Sequence, residues 1–81
     1  MTTSTALCNR IKGLCKEHNI SYRELAQKSG VPESRIRRMY YGAVGNPGVF
    51  MMMKICDVFG ISLDEFFDTE EFKEALKEKT E

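Results

Sequence analysis

Three arginines stand within four positions, Arg35, Arg37 and Arg38, shortly after Gly30 and Pro32. A guanidinium is permanently charged and planar. Its donors can bond two acceptors at once, which suits guanine edges and phosphates. Whether the three act together depends on the backbone beneath them. Read as a helix at about 100° per residue with Ile36 facing the core, Met39 falls near 300° and Tyr40 near 40°. Ser34 at about 160° and Arg38 at about 200° then face straight outward. Arg37 and Tyr41 edge one shoulder and Arg35 the other. The plain alternative for such a run is a solvated helix face.

The residues just before favour a binding surface. Ala26, four positions before Gly30, is small enough for two helices to cross steeply. Gly30 supplies the turn residue that tolerates positive φ. Leu25, Val31, Ile36 and Met39 are the apolar anchors of the pair. These types at these offsets describe a helix-turn-helix, whose second helix is the one placed in the major groove.

The rest of the chain supplies the helices that must hold this unit. Leu7, Ile11, Leu14 and Cys15 form one apolar stripe, which predicts a first helix over 5–18, with Asn19 as the left-handed residue after it. Ser21 and Glu24 have capping-box spacing, flanked by Ile20 and Leu25 as a hydrophobic staple, so a second helix starts at Tyr22 and ends at Gly30. Pro32 opens a third and Gly42 closes it. A loop over 43–46 leads to Asn46-Pro47 and a fourth helix, with Val49, Met52, Ile55, Cys56 and Phe59 as its buried stripe. Gly60 stops it. Ser62 and Glu65 repeat the capping box, with Ile61 and Phe66 as staple, for a short fifth helix. Thr69, Glu70 and Glu71 open a sixth, edged by Phe72, Ala75 and Leu76. No strand pattern is visible, and the expected class is all-α.

Charge divides the chain. Residues 1–60 hold nine Lys or Arg against four acids, and residues 61–81 hold three against eight, so the net charge of zero averages two opposed parts. This suggests a basic binding surface and an acidic tail kept elsewhere. The expected division is a DNA-binding domain over 1–68 and an acidic C-terminal helix or tail over 69–81. Eighty-one residues leave little room for an enzyme-sized cleft. No nucleophile–base pair, paired carboxylates or phosphate loop can be assembled around one histidine, so no enzyme is expected. Three cysteines without a CxxC pair fit reduced thiols in the cytoplasm. Neither an export signal nor a membrane span is read in the sequence.

The stretches ISYRELAQKSGVPESRIRRMYYG and NPGVFMMMKICDVFGISLDEFF together resemble the Cro/C1-type (XRE) helix-turn-helix family, over about Leu7 to Phe67. The resemblance implies a five-helix, lambda-repressor-like DNA-binding domain, here with an additional C-terminal helix. Such domains are usually dimeric and read an operator with two-fold symmetry. It implies base-reading positions at Glu33, Ser34 and Arg38. It also implies a phosphate-contacting helix start, often Gln in relatives, at Tyr22. Relatives often carry Ser or Thr where Pro32 stands, Lys or Arg where Ala43-Val44-Gly45 stands, and an Arg–Glu pair at the positions of Cys15 and Tyr40.

The expectation is thus a sequence-specific transcriptional regulator, a repressor by preference. Ser34 and Arg38 are the foremost base readers, Glu33 and Arg35 the next. Tyr22, Arg23, Arg37, Tyr41 and the amides near Gly48 are expected on phosphates. Glu33 has two readings: it can accept from cytosine, or it is a first-turn dipole residue. Phe50, Met53, Phe67, Phe72 and Leu76 are candidates for a dimer surface. The opposing reading is that the sixth helix folds back and covers Phe50 within one chain. Expected partners are duplex DNA and a second copy, with no cofactor, metal or small-molecule ligand. His18 is read as a residue near a helix end rather than a metal ligand. The alternative function is a protein-interaction module on the same fold, antitoxin- or coactivator-like.

Overall fold

The computed structural model describes residues 3–41 and 48–79, with side chains over 5–41 and 48–75. Among the described residues six helices follow in order: α1 (Thr3–Glu17), α2 (Tyr22–Ser29), α3 (Glu33–Tyr40), α4 (Val49–Phe59), α5 (Leu63–Phe67) and α6 (Glu70–Lys79). No strand occurs among the described residues. The predicted Gly42 stop, the 43–46 loop and Asn46-Pro47 lie outside them.

The helix boundaries follow local chemistry. Asn19 takes φ 55°, the left-handed value that ends α1. Ser21 Oγ accepts from the Glu24 amide at 3.2 Å, and Ser62 Oγ from the Glu65 amide at 3.1 Å. Each hydroxyl satisfies an amide that has no partner inside its own helix. Thr69 Oγ1 does the same for the Phe72 amide at 3.3 Å. Gly30 (φ 78°) and Gly60 (φ 69°) close α2 and α4 in the left-handed region.

The apolar stripes meet in one core. Ile11, Leu25, Ile36, Met39, Ile55 and Phe66 are fully enclosed, and Leu7, Leu14, Val31, Met52 and Phe59 join them. Val49 departs from the stripe predicted for α4 and is 66% exposed. It is the first residue of the helix, and side chains lean toward the helix start, so it projects past the end of the core.

The C-terminal helix folds back. Phe72 and Ala75 are buried in the same core, and the Phe72 ring lies 6.1 Å from Phe66 and 4.9 Å from Phe67. Phe72 is therefore removed from the candidates for a dimer surface, because its own chain covers it. The return path runs along α1 and leaves Phe50 80% exposed, so the sixth helix folds back, as the opposing reading has it, without covering Phe50. The Leu76 side chain lies outside the described part. Arg10 of α1 secures this end. Its Nε donates to the Phe66 carbonyl at 2.9 Å and its Nη2 to the Glu65 carbonyl at 3.1 Å. These carbonyls lie at the α5 C-terminus, where the helix dipole favours a cation.

Candidate nucleic-acid interface

The α2–α3 unit is built as its sequence predicts. Ala26 is buried at the crossing, and the Gly30 amide donates to its carbonyl at 3.0 Å. Ser29 ties the turn from both sides. Its hydroxyl donates to Ala26 O at 3.3 Å and accepts from the Val31 amide at 3.2 Å. Pro32 takes φ −54° and opens α3 without a side-chain cap. Its fixed φ organises the first turn, and its carbonyl accepts from the Arg35 and Ile36 amides at 3.0 and 3.2 Å.

α3 presents two unlike faces. Ile36 and Met39 have no exposed surface. Glu33, Ser34, Arg35, Arg37 and Arg38 are all exposed. The helix is anchored by one edge and its outer side is open, with three guanidinium groups along it. Arg37 and Arg38 also stand in the last turn, where the helix dipole favours positive charge.

Several predicted contact residues converge beside α3. Tyr22 at the start of α2 is half-buried, with its ring 5.4 Å from Tyr40 and 6.1 Å from Tyr41. Tyr40 and Tyr41 pack edge to face at 5.3 Å. The Arg23 guanidinium lies 5.9 Å from the Tyr22 ring centre, and its Nε is 3.9 Å from Glu33 Oε2. A hydrogen bond to the Tyr22 side chain, with the Glu33 carboxylate behind it, raises the Arg23 pKa above its ordinary value. Gly48 caps α4 with no side-chain hydrogen bond.

One residue of this corner escaped the sequence reading. Lys12 of α1 holds its Nζ 5.4 Å from the Tyr40 ring centre and 5.9 Å from that of Tyr41. Nothing in the α1 pattern separates Lys12 from any solvated lysine; only the packing of α1 on α3 brings it here. One turn earlier, Cys8 Sγ donates to the Tyr40 carbonyl at 2.8 Å. Cys8, Cys15 and Cys56 are all buried free thiols, and burial pushes Cys15 and Cys56 above the usual thiol range. His18 lies with its ring 4.9 Å from Phe59. Among the described residues no group of acids, cysteines and histidine is placed to hold a metal ion, and no helix is long and apolar enough to cross a membrane.

Three comparisons bear on this arrangement. The family model for the Cro/C1-type HTH DNA-binding domain matches residues 10–71, which spans α2 to α5 and about half of α1. A solved structure titled a SinR protein/SinI protein complex is similar, with 25% identity and a TM-score of 0.72, over 91% of this chain and 78% of that one. A search of curated proteins gives no significant match. The matched span holds the anchored α3, the Gly30 turn and the exposed arginines together. The chain belongs to the Cro/C1-type helix-turn-helix family of DNA-binding transcriptional regulators.

Proposed function

We propose that this protein is a sequence-specific repressor that binds, as a homodimer, an operator with two-fold symmetry. The observation that carries this reading is α3 itself, with Ile36 and Met39 sealed in the core and Ser34, Arg35 and Arg38 free on the opposite side. In this reading α3 lies in the major groove. Arg38 bonds guanine and Ser34 a neighbouring base, with Arg35 following the groove edge. Tyr22, Arg23, Arg37, Tyr41 and the amides at Gly48 hold phosphates and set the register. The Arg23–Glu33 pair supports Glu33 as a residue that orients Arg23.

Two copies joined through Phe50, Met53 and Phe67, with Val49 beside them, place their recognition helices about 34 Å apart, one turn of DNA. These side chains are 80%, 50%, 41% and 66% exposed, which leaves them open to a second copy. Repression follows from occupying a promoter, in the cytoplasm where polymerase works.

Selection from random duplex DNA with the full chain tests the reading. A palindromic consensus is expected, and absence of any enriched sequence overturns it. The same exposed residues of α4 favour a second reading, a module that binds another protein through Phe50. Salt separates the two: binding to DNA weakens steeply as salt rises, whereas an apolar protein interface barely responds.

A further inference from the structure

We propose that α1 adds a DNA-phosphate contact of its own through Lys12, held ready by the rings of Tyr40 and Tyr41. The inference rests on the reading of α3 as the groove-entering helix and extends its footprint to a third helix.

The placement comes from two residues on one face of α1. Cys8 and Lys12 lie one helical turn apart, and both meet Tyr40: the thiol at its carbonyl, 2.8 Å away, and the ammonium over its ring at 5.4 Å. Tyr41, 64% exposed at the end of α3, takes the same ammonium at 5.9 Å. Tyr22, from the start of α2, closes the corner against both rings. Lys12 thus stands where the start of α2 meets the end of α3. Arg10, two residues earlier, lies about 200° around the helix and is spent on the α5 carbonyls instead.

The kind of partner matters. Among the described residues no carboxylate pairs with Lys12, whereas Lys73 in the acidic end sits 3.5 Å from Asp68 and 3.9 Å from Glu70. A carboxylate must be displaced before a lysine can take a phosphate. An aromatic face need not be, because it attracts the cation through its quadrupole and leaves the charge and the N–H donors unspent. The rings also restrict the lysine side chain in advance, which lowers the ordering cost when a phosphate binds.

The test uses the full chain and its selected duplex, titrated by fluorescence anisotropy from 50 to 200 mM salt, about a fourfold range. Lys12→Met keeps the aliphatic stem and removes the charge. It is expected to lower the slope of log affinity against log salt by about 0.9, so the salt increase costs the variant about 3.5-fold less than the parent. Affinity falls equally on consensus and scrambled duplexes, and the consensus is unchanged. Lys12→Arg restores the slope. Tyr41→Leu lowers the slope by less, because it removes one of the two rings beside the ammonium. An unchanged slope in Lys12→Met, with or without a fall in melting temperature, overturns the inference and leaves Lys12 as a staple between α1 and α3. Arg38→Ala, run alongside, separates the two levels. If it still loses base preference, only the Lys12 contact has failed; if neither variant changes binding, the reading of α3 as the groove-entering helix has failed.

Discussion

Residues 21–41 and 48–68 follow one local plan and carry opposite charge. α2 and α5 both start on a serine whose hydroxyl accepts the amide three residues on, at 3.2 and 3.1 Å. α2 and α4 both end on a left-handed glycine, Gly30 at 78° and Gly60 at 69°. Yet the first segment has five basic and two acidic residues, and the second has one basic and four acidic. After Gly30 comes an eight-residue helix with a sealed inner side and a bare cationic outer side. After Gly60 comes a five-residue helix whose last carbonyls are taken up by Arg10. Backbone punctuation positions a helix in both places. Charge, and whether the outward side is left uncovered, decides which helix can serve as a binding surface.

The largest effects should test the shared half of this plan. Ile36→Ala and Phe66→Ala each remove a fully enclosed side chain. They should cost about 2–5 and 3–5 kcal/mol of stability in urea titrations. At temperatures where both variants remain folded, only Ile36→Ala should also impair DNA binding, since Ile36 seats α3. Equal loss of binding in both would mean that the acidic end contributes directly to the interface.

Arg38→Ala probes the half that differs. It should cost about 1–3 kcal/mol of binding and relax the preferred sequence. Stability should stay within about 0.5 kcal/mol, as for other exposed positions. Unchanged affinity and preference in a gel-shift titration would refute Arg38 as a base reader. Next in size come Gly30→Ala and Gly60→Ala. Neither added methyl group meets an atom within 4 Å, so the cost is that of the positive φ alone, about 1–2 kcal/mol. The two should match in stability and part in DNA binding, because only Gly30 sets the angle of α3. Ser21→Ala and Ser62→Ala should each lose about 1 kcal/mol through the missing cap.

Legibility in the sequence followed the range of the interactions. The caps at Ser21 and Ser62, the stops at Asn19, Gly30 and Gly60, and the staples are matters of neighbours three to five residues apart, and each could be read directly. The outward side of α3 was legible too, because Ile36 and Met39 fix the rotation of a short helix. Val49 was misplaced because a stripe says which side is apolar and not how far along the helix the core extends. Phe72 was ambiguous because an apolar edge on a terminal helix looks the same whether its own chain or a second copy covers it. Lys12 could not be read at all, since its rings come from residues 28 and 29 positions further on.

The smallest effect is the most informative about how α2 and α3 cooperate. Glu33 stands at the first turn of α3 among cations, and its carboxylate lies 3.9 Å from Arg23 Nε with both side chains well exposed. If Glu33 accepts from cytosine, Glu33→Gln should change the preference at one base pair and leave other duplexes alone. If instead it orients Arg23, the substitution removes an internal competitor for phosphate and a negative charge facing DNA. The consensus should then be unchanged, with affinity for every duplex raised about twofold, the scale of an exposed pair. That second outcome is expected, because the pair joins the two helices across Gly30 and Arg23 is already held by Tyr22. A lost preference confined to one position would return Glu33 to the base-reading set. The recognition surface would then begin one residue earlier on α3, at its first residue, with Arg23 left to Tyr22 alone.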